Sequence, residues 1–226
     1  MKLLEQYKMN LIAQSRDECK RALLSLLEKD SQPHMLDLGS GDYTRTTLDI
    51  ARYVNAKTIT TLDIQGFTYS GVANDEFPFA HYVHDLNLPY EASWQYDIVV
   101  SSQVIEHLWN TDEFMRTVRR CLKPSGYAII ATPNLASWHN IAYLMLGRQP
   151  EVATVSNELY PWKEQPGHCR VFTATELLKL VAFHGFKVEK MVGSNYYPLS
   201  GKLARFLSSK DWKHSATITV KIRKET

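Results

Sequence analysis

The stretch Met35–Tyr43, MLDLGSGDY, decides how the chain is read. Its apolar start, Met35 to Leu38, reads as a strand running into the turn Gly39-Ser40-Gly41. Glycines belong where backbone turns sharply or passes close to a ligand. Two phosphate-binding readings fail at named positions. A dinucleotide fingerprint needs glycine at position 44, which is Thr44, and a phosphate loop needs a Gly-Lys-Ser/Thr ending that this stretch lacks.

Strands and helices alternate outward from this turn. A helical pattern from Leu11 to Lys29, with Ala22, Leu23, Leu26 and Leu27 on one face, precedes Pro33 and the strand HMLDL. A helix over Thr44–Val54 leads to the β-branched strand TITTLDI, residues 58–64. AHYVHDL (80–86), YDIVVSS (96–102) and YAIIATP (127–133) read as three further strands, the second buried on both faces. Asn110 with Glu113, and Thr173 with Glu176, form capping boxes that open helices running to about Cys121 and Gly185. KPSG (123–126) reads as the turn before the fifth strand. FKVEKMVG and ATITVKIRK close the chain, with little helix between them beyond Leu199–Leu207.

This order predicts an α/β fold in one domain, residues 1–226, with a mainly parallel sheet and an antiparallel edge at the last two strands. Residues 134–170 interrupt the rhythm after the fifth strand. Such an insertion is expected to form a lid or substrate wall, because ligands bind at the carboxyl ends of the strands.

The later strand ends narrow the ligand. Asp63 ends the second strand, about twenty residues beyond the glycine turn, where a carboxylate accepts ribose hydroxyls. Asp85 ends the third, within reach of an adenine amino group. Carboxylates without a phosphate-binding cation suit a nucleoside that carries no phosphate, and a positively charged one such as a sulfonium.

Composition excludes other classes. The net charge of +2 supplies no field for general nucleic-acid binding. The basic C-terminal residues, Lys202 to Lys224, read as a solvated surface. Cys19, Cys121 and Cys169 form no pair or CxxC, which points to a reducing cytoplasm. The N-terminus meets Arg16, Asp17 and Glu18 too soon for a signal peptide, and no apolar run is long enough to span a membrane.

The motifs LDLGSG, LDI, HDLNLP, YDIVVSSQVIEHL and RCLKPSGYAIIATPN, in this order, resemble the class I S-adenosylmethionine-dependent methyltransferases. The resemblance implies S-adenosylmethionine as cofactor and a doubly wound, seven-stranded, mostly parallel, Rossmann-like sheet with an antiparallel last strand. Gly39, Ser40 and Gly41 would pass beneath its methionine part, with Asp37 and Ser101 near its amino group. Asp63 with Ile64 would hold the ribose, and Asp85 with Leu86 the adenine. Tyr43 stands where the family often has a third glycine, and Ser125 replaces a common glycine in the later turn.

Acceptor chemistry is expected in QVIEH. A helix there would place Gln103, Glu106 and His107 on one face, and His168 would return to the same strand ends. This set is similar to the metal site of small-RNA terminal 2′-O-methyltransferases and to the Glu-His signature of ubiquinone-pathway O-methyltransferases, which have glutamate where this chain has Gln103. One divalent ion (Mn, Fe, Co, Zn or Mg) is one reading. In the other, Glu106 and His107 only orient the turn, and His107 or His168 is the general base. Trp138, His139, Tyr160 and Trp162 are the candidate acceptor wall.

The resulting expectation is O-methylation of a small-molecule hydroxyl (a phenol or quinol, a sugar or a specialised metabolite) by a cytoplasmic monomer or homodimer, without nucleic acid or membrane insertion. RNA-terminal 2′-O-methylation, transfer to nitrogen or carbon, and a non-catalytic cofactor-binding regulatory module are the alternatives.

Overall fold

The computed structural model describes residues 2–29, 31–41, 44–66, 76–153 and 167–225. Tyr43, Tyr160 and Trp162 lie outside them. The elements run α1 (Lys2–Leu24), β1 (His34–Leu38), α2 (Thr44–Val54), β2 (Thr58–Asp63), β3 (Phe79–Val83), β4 (Tyr96–Ser102), α3 (Thr111–Cys121), β5 (Leu122–Pro133), α4 (Trp138–Met145), α5 (Ala174–Phe183), β6 (Phe186–Ser194), α6 (Gly201–Lys210) and β7 (Thr217–Lys224). The seven strands form one sheet in the order β3-β2-β1-β4-β5-β7-β6. Only β7 runs antiparallel to its neighbours, β5 and β6. This is the expected doubly wound sheet with its antiparallel final strand.

Period-two alternation assigns each strand residue to one of two cores. Leu36, Leu38, Val99 and Ile130 face Phe114, Val118, Leu177 and Val181 of α3 and α5. Met35, Ile59, Ile98 and Ile129 face the α1–α2 layer, including Leu23, Leu48, Ile50 and Val54. Both faces of β1 and β4 are therefore covered, which is why these strands read as continuous apolar runs. The strand order reverses between β1 and β4. Their carboxyl ends open the crevice where α/β sheets bind ligands.

Several boundaries differ from the sequence reading. β3 ends at Val83, so Asp85 lies in the loop beyond it and not at the strand end. α1 starts at Lys2 and ends at Leu24, while Leu26 and Leu27 stay buried in the turn that follows. α6 continues to Lys210. KPSG does not precede β5 but lies inside it. Leu122 pairs with Tyr96, and the register then slips so that Tyr127 faces Ile98, absorbing the turn as a bulge. A Cβ on Gly126 would stand 2.7 Å from the Asp97 carbonyl oxygen, so the bulge needs glycine there.

Candidate active site

The glycine turn is built as its sequence demands. Gly39 and Gly41 have φ of 79° and 57°, in the left-handed region that favours glycine. The Gly39 amide donates to the Leu62 carbonyl at 2.7 Å, bending the loop toward β2. A Cβ on Gly39 would lie 2.3 Å from Val104 Cγ2. Val104 sits beyond the end of β4, so the two loops flanking the crevice touch at a glycine.

The three cofactor-side carboxylates gather at this end of the sheet. Asp63 Oδ2 accepts the Gly41 amide at 2.7 Å, and Oδ1 accepts the Gln65 amide at 3.1 Å. Asp85 Oδ1 accepts both the amide and the side-chain nitrogen of Asn87, at 2.9 and 2.8 Å. Asn87 Oδ1 in turn accepts the Trp109 and Asn110 amides. The loop after β3 is thus bolted to the start of α3. The Asn110 amide consequently takes Asn87 instead of Glu113, so only one half of the expected capping box forms, the Glu113 amide donating to Asn110 Oδ1.

Asp37 is buried, and Thr47 Oγ1 donates to its Oδ2 at 2.6 Å. Burial pushes its pKa up to about 6; the Thr47 bond opposes the rise and the neighbouring charge of Asp63 adds to it. A buried carboxylate in this state suits a ligand that brings a cation. Ser101, also buried, donates to the Leu38 carbonyl at 2.9 Å and ties β4 to β1 at the crevice floor. Leu86 is buried beneath the Asp85 loop, and Ile64 is exposed beside Asp63. Positive-φ glycines, strand-end carboxylates and a desolvated Asp37 fit a cationic nucleoside such as S-adenosylmethionine.

The acceptor side departs from the expected helix. Only Ile105–His107 is helical, a single 3₁₀ turn. Gln103 precedes it with φ of 60° and is exposed, so it shares no helix face with Glu106 and His107. The chain nevertheless assembles a cluster without Gln103. One ligand atom each from Glu106, His107 and His168 lies within 4.8 Å of the others. The two imidazoles meet edge to face at 4.9 Å between centroids. The Arg170 amide donates to the Glu106 carbonyl at 3.0 Å, and His168 Nδ1 pairs with the Val152 carbonyl at 2.8 Å, which brings His168 to the cluster.

Glu106 is 1% exposed. Its Oε2 accepts from Thr132 Oγ1 at 3.0 Å, and its buried Oε1 has no hydrogen-bond partner among the described residues. Burial pushes the carboxyl up to about 7, against the opposing pull of its own backbone amide and of Thr132. A buried oxygen left unpaired needs an explanation, and a proton or a cation at the cluster supplies one. Thr132 was not singled out from the sequence, where it reads as one more β-branched strand residue.

The candidate acceptor wall divides. Trp138 is exposed, donates from Nε1 to Asp211 Oδ2 at 2.9 Å and stacks on His214 at 4.4 Å. His139 meets Tyr197 edge to face at 5.2 Å. The root of the insertion is closed by a bridge between Asn134 and Phe172.

Comparison with known proteins settles the family. The Methyltransf_23 model, described as a methyltransferase domain, matches residues 11–191. The chain belongs to this family. It is a member of the class I S-adenosylmethionine-dependent methyltransferase family. It is 31% identical over 131 residues to a ubiquinone biosynthesis O-methyltransferase of Caulobacter vibrioides, covering 57% of this chain and 48% of that one. It is 34% identical over 97 residues to a "probable S-adenosylmethionine-dependent methyltransferase" of Mycolicibacterium smegmatis, covering 43% and 31%. The matched part therefore spans less than half the length of these relatives. A solved S-adenosylmethionine-dependent methyltransferase of Mesorhizobium loti shares the fold, with a TM-score of 0.62, 16% identity and coverage of 90% and 96%. Among the described residues no helix is long and apolar enough to cross a membrane.

Proposed function

We propose that this methyltransferase O-methylates a small-molecule hydroxyl, a phenol or quinol, a sugar or a specialised metabolite, at the Glu106–His107–His168 cluster. The observation that carries the reading is the buried, unpaired Glu106 Oε1 beside two imidazoles, at the carboxyl end of β4. The similarity to a ubiquinone biosynthesis O-methyltransferase supports oxygen as the acceptor atom.

Methyl transfer from a sulfonium is an in-line displacement, so the protein must align two partners, exclude water and take a proton. Asp63 would accept the ribose hydroxyls, Asp85 Oδ2 the adenine amino group and Asp37 the ammonium. The Gly39–Gly41 backbone would pass beneath the methionine part. On the acceptor side, if no ion is held, His107 or His168 would take the hydroxyl proton as oxygen attacks the methyl carbon and the carbon–sulfur bond breaks, releasing S-adenosylhomocysteine; in the alternative they are ligands. Glu106, His107 and His168 would hold a divalent ion, which supplies Lewis acidity that lowers a hydroxyl pKa. Trp138, His139, Tyr160 and Trp162 are assigned to the acceptor wall on sequence alone; Trp138 packs on His214 and His139 on Tyr197. The free thiols of Cys19, Cys121 and Cys169 agree with a reducing cytoplasm.

The test is turnover against a panel of phenols, quinols and sugars, before and after EDTA treatment. Retention of a transition metal with loss of turnover on chelation supports the metal. Turnover unchanged by EDTA in a metal-free protein sinks the ion and leaves the histidine base. Methylation of nitrogen or carbon acceptors only would overturn the oxygen reading.

A further inference from the structure

Two helices on the acceptor side leave large apolar side chains in solvent. On α4 and the residue after it, Met145 is 82% and Leu146 72% exposed, with Tyr143 and Leu144 beside them. On α6, Leu203 is 56% and Phe206 59% exposed, while Ala204 and Ser208 face inward. Leu203 and Phe206 stand three positions apart and so share a face, which the exposed Lys202 and Lys210 flank. Clustered exposed apolar groups on a soluble domain mark an interaction surface more often than they occur by chance.

Both helices belong to the same side of the sheet. α4 follows the carboxyl end of β5, and α6 follows that of β6, which runs parallel to β5 because both oppose β7. Asp211, at the end of α6, joins them. It accepts Trp138 Nε1 at 2.9 Å and the Tyr196 hydroxyl at 2.7 Å, and pairs with His214 at 2.7 Å.

The charge on this side is predominantly positive. Residues 138–150 and 199–210 contain Arg148, Lys202, Arg205 and Lys210; Glu151 and Asp211 border these stretches and Lys213 follows. Glu18 pairs with Arg205 at 3.6 Å and offsets that cation, and Asp211 holds the three donors above. Lysines around exposed leucine and phenylalanine are the composition of an interfacial helix, in which the rings enter the headgroup boundary and the ammonium groups reach the anionic headgroups.

We propose that the exposed sides of α4 and α6 form a docking face for an anionic lipid bilayer, which turns the acceptor site toward a substrate carried at the membrane surface. The delivery of that substrate rests on the acceptor site proposed above; the docking does not. The basic C-terminal region, which reads as a plain solvated surface in sequence, becomes the electrostatic half of this face.

The experiment is flotation of the full chain with phosphatidylcholine vesicles, with and without phosphatidylglycerol, at low and raised salt. Binding is expected to need phosphatidylglycerol and to weaken with salt. Each of Lys202→Glu and Lys210→Glu should weaken it about fivefold or more. Leu203→Ser with Phe206→Ser, and Met145→Ser with Leu146→Ser, should each weaken it as well. All these positions are exposed, and S-adenosylhomocysteine binding should be unchanged, which shows that the variants fold. Failure to bind phosphatidylglycerol vesicles overturns the proposal, as does binding that all variants retain. Absence of vesicle binding together with a dimer that the serine variants dissociate, read by sedimentation, would reassign the face to a second copy. Vesicle binding intact but no methyl transfer to lipid extracts would leave the docking and remove the lipid-borne acceptor.

Discussion

On the cofactor side every carboxylate already holds protein hydrogen bonds, whereas on the acceptor side Glu106 keeps a buried oxygen with none. Asp63 and Asp85 are gripped by amides of their own loops, and these fix their orientation before any ligand arrives. Glu106 is positioned by a hydroxyl from β5 and by the strap around Arg170, both distant in sequence. The cofactor half is therefore preorganised by local backbone. The acceptor half is assembled by tertiary structure and holds an uncompensated group. The first design suits one invariant ligand; the second leaves room for a proton, a cation or an acceptor to complete it.

The largest expected effect strikes the point where the two halves touch. Gly39→Ala places a Cβ 2.3 Å from Val104 Cγ2 at a φ of 79°. Backbone strain and overpacking together should cost about 2–6 kcal/mol of stability. The variant should also lose S-adenosylhomocysteine binding in calorimetry. Adding Val104→Ala removes the closest contacts but not the strain, so the double variant should recover only part of the loss. Equal melting temperatures for wild type and Gly39→Ala would show that the loops do not meet as described.

The next effect separates the halves by pH. Glu106 titrates at about 7 in the fold against 4.5 ordinarily, so the folded state keeps a proton that the unfolded chain has released. Its contribution is full below about pH 4.5 and is lost as pH rises through 7, in total about 3 kcal/mol. Asp37, raised to about 6, acts with the same sign at the lower end of the window. Chemical denaturation between pH 5 and 8 should therefore show a stability loss that Glu106→Gln largely abolishes. Added Co²⁺ should restore stability at pH 8 in wild type and not in the variant. A wild type as stable at pH 8 as at pH 5 would contradict the desolvated carboxyl.

Asp63→Ala probes the preorganised half alone. It removes the acceptor of the Gly41 amide and the proposed ribose contact, and a hydrogen bond to a charged group is worth about 1.5–3 kcal/mol. S-adenosylhomocysteine should bind about ten- to a hundredfold more weakly, with the metal response at Glu106 unchanged. Equal binding by wild type and variant would remove Asp63 from the cofactor site.

The same contrast explains what the residues reveal before folding. β1, α2 and β4 are legible to the residue because apolar runs, caps and glycines are local signals. The Gly-x-Gly turn, the Asp63 strand end and Asp85 just beyond β3 are local in the same way. The KPSG bulge is not, because only the pairing of Leu122 with Tyr96 makes it part of β5. Gln103 misleads for a related reason. Its i, i+3, i+4 spacing promises a helix face, but Gln103 stands at a φ of 60°, outside the single 3₁₀ turn that starts at Ile105. Asn87 and Thr132 escape notice because their partners come from other elements. The exposed face of α6 has a period that fits a core helix equally well, and only tertiary packing shows that Leu203 and Phe206 remain outside.

The smallest effect is the most diagnostic for the acceptor half. Thr132→Val keeps the shape and the β-branching of the strand residue but deletes the 3.0 Å bond to Glu106 Oε2. The loss in stability should be about 1 kcal/mol. With the Thr132 donor gone, the Glu106 carboxyl should rise further, so the pH window of the stability loss should move to higher pH. Thr132→Ser retains the hydroxyl and should restore the wild-type window. A general packing defect would instead lower stability equally at every pH and would not respond to serine. If the window stays in place in Thr132→Val, the hydroxyl does not hold Glu106, and the carboxylate is oriented by the backbone of its own turn, as Asp63 and Asp85 are.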